Sequence, residues 1–152
     1  MTARIDYRAV SPDALKTMLA FEAAVIRMGL ERPLLNLIKL RASYINGCAY
    51  CVDMHSKEAR HAGETEQRIY SVPVWHETPF YTPRERAALL WTETLVNLPQ
   101  RGVPDDVFNA VRAEYSEQEM ISLTMAVNAI NGWNRFGVAF QLEPGGYTPG
   151  AH

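Results

Sequence analysis

Apolar side chains recur along this chain at helical spacing, and segments that alternate in the manner of a strand are not sustained anywhere. In "SPDALKTMLAFEAAVIRMG" the apolar positions Leu15, Met18, Leu19, Val25 and Ile26 share a face. Ser11 stands as N-cap, Pro12 opens the first turn with Asp13, and Gly29 closes the helix. "TPRERAALLWTETLVNL" repeats this grammar with Thr82, Pro83 and a capping box completed by Glu85. "SEQEMISLTMAVNAIN" repeats it again with Ser116 and Glu119. Pro33 can open a helix through "LLNLIKLRASYIN", and a further helix over 48–62 ends at Gly63. Shorter helices are expected over 66–71 and 104–114. The pattern predicts an all-α fold of six or more helices.

Internal comparison adds a second layer of order. Ile-Asn-Gly occurs at 45–47 and at 130–132, each time after an apolar helix of matching period. The preceding helices also match, pairing Ser11 with Thr82, Pro12 with Pro83 and Glu22 with Glu93. The chain therefore reads as two copies of a helix pair related by an approximate two-fold. In this alignment Cys48 falls on Trp133, Cys51 on Phe136 and His55 on Phe140. One copy carries sulfur and imidazole, and the other is expected to fill the same positions with core aromatics.

A length of 152 residues suits one domain, with a core over 11–140 and a Gly- and Pro-rich tail over 141–152, read as irregular or as an arm packing on a neighbour. The 15 Lys and Arg are scattered among 17 Asp and Glu, so no basic stripe offers itself to nucleic acid. "MTARIDYRAV" lacks the apolar core of a secretory leader, and no apolar run approaches the roughly 20 residues that span a bilayer. A cytoplasmic location is the default expectation, with no membrane partner. In a reducing compartment a close cysteine pair is more readily catalytic, redox-sensing or metal-binding than structural.

That pair lies in "INGCAYCVDMH". Asn46 and Gly47 break the preceding helix, so a new one is expected to start near Cys48. Residues 48, 51 and 55 then share its face within two turns, and the sulfurs can approach closely enough to bridge. Unsatisfied N–H groups at a helix start favour a thiolate, and His55 can accept its proton. Zinc would find three ligands here but no fourth, because His61 and His76 lack a ligand spacing, so no metal is expected. Two buried, inert cysteines are the plainer alternative.

"NLIKLRASYINGCAYCVDMHSKEARHAGETEQRI", with "TPRERAALLWTETL" and "INGWNRFGV", resembles the alkylhydroperoxidase AhpD and carboxymuconolactone decarboxylase superfamily over 11–138. The resemblance implies a single AhpD-like, internally duplicated helical domain assembled as a trimer or hexamer. It implies thiol-dependent reduction of a small organic hydroperoxide without a bound cofactor. Cys51 would become the sulfenic acid and Cys48 would condense with it to a redox disulfide, later reduced by an external dithiol, whether a thiol protein or a lipoyl-type donor. The helix-dipole argument taken alone favours Cys48 as nucleophile, whereas proximity to His55 favours Cys51.

Two positions depart from that pattern. The relay glutamate twelve residues before the first cysteine is Asn36, which cannot titrate, and the histidine often found before the second cysteine is Tyr50. Glu93 and Glu58 are candidate substitutes. Glu58 reads as a solvated helix carboxylate, whereas Glu93 and its counterpart Glu22 read as structural carboxylates paired with Arg or Lys, for which Arg41 and Arg135 are suitable partners. Tyr44, Tyr50, Trp75, Phe80, Trp91 and Trp133 can line a pocket, although aromatics at such spacing more often serve the core or subunit contacts. These departures keep two other functions open: a redox sensor or oligomeric binding protein, and a non-redox decarboxylase of the other branch.

Overall fold

A computed structural model describes residues 2–150; positions 151 and 152 of the tail lie outside the described residues. Within them the chain forms α1 (Tyr7–Val10), α2 (Pro12–Ile26), α3 (Arg32–Ile45), α4 (Ala49–His61), α5 (Glu66–Ser71), a 3-10 segment (Val72–Glu77), α6 (Pro83–Val96), α7 (Asp105–Arg112) and α8 (Glu117–Ala139). These eight α-helices, with no strand among the described residues, make the fold all-α, as the periodicity predicts. No helix among the described residues is long and apolar enough to cross a membrane.

α3 is the central element because it is apolar on two sides. Leu34, Leu35 and Ile38 enter one core cluster with Val25, Ala88, Trp91, Val111, Leu123 and Val127. Leu37 and Leu40 enter a second cluster with Ala59, Ile69, Val72, Trp75, Tyr81 and Leu89. A helix buried on both sides must lie between layers, and α3 packs on α4, α6 and α8. Each fully buried Leu or Ile contributes about 1.5–3 kcal/mol through area removed from water.

The caps explain where the helices start. Thr82 and Ser116 each accept the N–H of the residue three positions on, while Glu85 and Glu119 reach back to the cap N–H, completing both predicted capping boxes. Ser11 is an N-cap by position, but its side chain makes no cap hydrogen bond. α1 and the 3-10 segment were not anticipated by the periodicity. α1 is a single turn held by the Asp6 carboxylate, and the 3-10 segment is built around Pro73.

The duplicated pattern is visible in the packing, where α2 lies on α8 and α6 lies on α3. The first Ile-Asn-Gly ends a helix and the second does not, since α8 runs unbroken through Gly132. After the first, Gly47 adopts φ +65° and Cys48 caps α4 with its sulfur as acceptor. In the second copy Trp133 stands at the capping position, and an indole N–H can only donate. Nothing there can cap a new helix, so the old one continues.

The paired carboxylates divide their partners unevenly. Glu93 bonds Arg41 at 2.9 Å, as expected. Glu22 pairs with Lys39, not with Arg135, whose exposed guanidinium donates to the Asn131 carbonyl on its own helix. Each carboxylate also accepts an indole N–H, Glu22 from Trp133 and Glu93 from Trp75. Lys39 reaches Glu22 from the central helix, which the alignment of repeats alone does not reveal.

Candidate active site

The turn between α3 and α4 builds the site. α3 ends at Ile45, and the Gly47 N–H donates to the Tyr44 carbonyl at 3.2 Å. Gly47 takes the left-handed conformation that favours a residue without a Cβ. The Cys48 N–H then donates to the Ser43 carbonyl at 3.0 Å, which docks the start of α4 against the end of α3. Cys48 is the N-cap of α4, and its Sγ accepts the Cys51 N–H at 3.3 Å.

Cys48 and Cys51 are bonded to each other through their sulfurs, with Cα atoms 5.3 Å apart. Both are buried, at 1% and 3% exposure. His55 follows one turn after Cys51 on the same face and is also buried. Burial, reinforced by the Lys39 ammonium, pushes its imidazole down to about 3, so it is neutral at physiological pH. Its Nε2 has no hydrogen-bond partner. An unpartnered buried ring nitrogen is costly, and a thiol is the kind of group that would relieve it.

The other candidate residues are placed away from this trio's hydrogen bonding. Asn36 is half-buried on α3, one turn before Lys39 and two before Ser43. Among the described residues no side-chain hydrogen bond joins it to the cysteine helix. Tyr50 is half-buried, and its hydroxyl accepts from Arg8 of α1 at 3.3 Å. Glu93 is occupied by Arg41, Trp75 and His76. Burial raises its carboxyl, but the hydrogen bonds from Arg41 and Trp75 outweigh this and hold it below the usual range. Its contacts tie α6 to α3 and to the 3-10 segment. Glu58 is not simply solvated, because the Tyr147 hydroxyl bonds to it.

The tail accounts for that contact. Residues 141–150 carry no helix and lie along α4 of their own chain. The Gly145 N–H donates to Asp53 at 3.0 Å, and Lys57 donates to the Gly145 carbonyl at 2.9 Å. Pro144 thereby forms a wall of a shallow hollow of about 410 Å³, lined also by Ser43, Tyr44, Gly47, Ala49, Val52 and Asp53. Of the six aromatics only Tyr44 lines it; Trp75 and Trp91 are core, and Phe80 packs on the second cluster.

The residues aligned with the active trio behave differently from the expectation of a filled core. Trp133, Phe136 and Phe140 are half-buried, and Phe136 and Phe140 pack on Tyr7 with ring centroids 4.7 and 6.2 Å away. α1 covers them, an element absent from the sequence reading. Sequence reasoning also missed Gly137. A Cβ built there would lie 2.4 Å from Cys48 Sγ and 3.3 Å from Cys51 Sγ. A glycine inside a helix at a cost near 1 kcal/mol relative to alanine was the available signal.

Known proteins are similar to this chain in sequence and in fold. The profile of the carboxymuconolactone decarboxylase family matches residues 12–94, which include both cysteines and His55. The uncharacterized protein YdfG of Bacillus subtilis is 41% identical over 139 residues, covering 91% of this chain and 95% of its own. A crystal structure from Agrobacterium tumefaciens superposes with a TM-score of 0.92 at 46% identity, covering 96% of this chain and 100% of that one. That protein is of unknown function and provisionally grouped with the antioxidant defence protein AhpD. A peroxidase-related AhpD-core protein from Ralstonia eutropha, 21% identical, shares the fold with a TM-score of 0.81 over 91% of this chain and 74% of its own. On the family match and this coverage, the chain belongs to the carboxymuconolactone decarboxylase family, within the AhpD-like superfamily.

Proposed function

We propose that the protein is a thiol-dependent peroxidase that reduces small organic hydroperoxides through Cys51 and Cys48. The observation that carries this reading is the bonded cysteine pair at the start of α4 with a neutral, unpartnered imidazole one turn further on. In the reduced protein His55 accepts a hydrogen bond from the Cys51 thiol and draws off its proton as the sulfur attacks the peroxide O–O bond. The sulfur gains one oxygen, and the leaving alkoxide takes the proton from His55 and departs as an alcohol. The Cys48 thiol then condenses with the Cys51 sulfenic acid, forming the disulfide and releasing water. An external dithiol restores both thiols by exchange. The hollow beside Ala49 and Val52, walled by Tyr44 and Pro144, offers apolar surface for the organic group.

A second reading is supported by the near-complete burial of both sulfurs together with the untitratable Asn36. These features suit a redox sensor whose couple responds slowly. Turnover separates the two. Wild-type protein supplied with an organic hydroperoxide and a dithiol is expected to turn over many times, and Cys51→Ser to lose that activity. Full turnover by Cys51→Ser would refute the peroxidase reading, and oxidation in a single slow event would favour the sensor.

A further inference from the structure

Both sulfurs meet α8 at one position, and that position has no side chain. An ideal Cβ on Gly137 would stand 2.4 Å from Cys48 Sγ, well inside van der Waals contact, and 3.3 Å from Cys51 Sγ. α8 cannot easily back away, because hydrogen bonds, one buried and two half-buried, tie it to the α3–α4 turn one and two turns before Gly137. Asn46 donates to Asn131 at 2.7 Å and to Asn134 at 2.9 Å. Asn134 in turn donates to the Ser43 hydroxyl at 3.0 Å, and both of these residues are buried. One turn beyond, the Leu142 N–H closes on the Gly137 carbonyl at 3.1 Å. The stretch of α8 just before residue 137 is therefore held against the turn that carries the couple.

We propose that Gly137 is a positioning residue of the redox couple: its missing side chain leaves the space that the Cys48 sulfur occupies when bonded to Cys51. This deepens the peroxidase reading and rests on it for the couple's role in turnover. Joining the sulfurs pins the Cys48 side chain where a Cβ on residue 137 would collide with it. A free Cys48 thiol can rotate about χ1, so a side chain at 137 penalises the disulfide more than the dithiol. Residue 137 thus biases the exchange in which the two thiols give two electrons and two protons to an external disulfide.

The test is the equilibrium between Cys48–Cys51 and dithiothreitol, read by alkylation and intact mass in the full chain. Gly137→Ala is expected to lower the equilibrium constant for disulfide formation about tenfold, which for a two-electron couple is about 30 mV toward a more easily reduced pair. Gly132→Ala serves as control. Its Cβ would meet only the flexible end of Met18, at 2.8 Å, and the equilibrium should stay at the wild-type value. An unchanged constant in Gly137→Ala, or an equal fall in Gly132→Ala, overturns the proposal. Should Gly137→Ala fold poorly, the Cys48→Ala background decides. With the sulfur removed, adding Gly137→Ala should cost no stability beyond Cys48→Ala, and an undiminished loss places the collision elsewhere and overturns the proposal. No hydroperoxide enters these measurements, so a failure of wild-type peroxide turnover counts against the peroxidase reading alone.

Discussion

His55 joins stability to pH, because the burial that keeps its imidazole neutral must be undone when it is protonated. Its pKa in the oxidised fold is depressed to about 3, against an ordinary value near 6.5 in the unfolded chain. Between those values the unfolded chain holds a proton that the folded one lacks, so stability rises with pH across the window. The contribution is complete above about pH 6.5 and falls by up to about 1.4 kcal/mol per unit as the pH drops toward 3. Denaturant titrations of oxidised wild type and His55→Phe across pH 4–7 should show a shallower slope in the variant. Parallel slopes would mean that the imidazole is not held neutral by burial. Asn36 concerns rate instead. Restoring a carboxyl with Asn36→Glu places a titratable group on the α3 face that carries Lys39, and stopped-flow reaction of the reduced protein with an organic hydroperoxide should accelerate about tenfold or more. An unchanged rate would show that the couple works without a relay from this position.

At the scale of elements, the two Pro-initiated helices offer a matched comparison. Thr82 and Ser11 occupy equivalent places, yet only Thr82 makes a side-chain cap bond. Thr82→Ala should cost about 1 kcal/mol by chemical denaturation, and Ser11→Ala only a few tenths. Equal losses would contradict the capping geometry. Helix existence was legible from the sequence because caps, prolines and apolar periodicity are local signals. α4 runs Ala49–His61 within the expected 48–62, α5 over Glu66–Ser71 as expected, and α7 over Asp105–Arg112 within the expected 104–114. What escaped depends on contacts between distant segments. α1 is fixed by packing of Tyr7 on Phe136 and Phe140, and the tail by Asp53, Lys57 and Glu58 on α4. The unbroken α8 was hidden for a different reason, since Ile-Asn-Gly interrupts a helix only where the next residue can cap another.

For the whole molecule, the duplication places two similar helix pairs around a shared core, and only one of them carries the cysteine pair and the buried imidazole. The spacing of Cys48, Cys51 and His55 was readable because i, i+3 and i+7 positions on one helix meet whatever surrounds them. The wall opposite was not readable. Gly137 reaches the sulfurs only through the docking of α8 on the α3–α4 turn, with Ser43, Asn46, Asn131 and Asn134 drawn from segments about 90 residues apart. Lys39 lies within the motif, but its pairing with Glu22 and its influence on His55 arise from the same tertiary arrangement. On the proposed function, this arrangement makes Cys48 and Cys51 a couple oxidised by hydroperoxide. The most direct measurement is a single turnover, in which fully reduced protein meets one equivalent of an organic hydroperoxide and is quenched by alkylation for mass analysis. The expected result is loss of both thiols, one Cys48–Cys51 disulfide and one equivalent of alcohol, at a rate well above that of free cysteine. Thiols that survive, or are lost no faster than those of free cysteine, would contradict it.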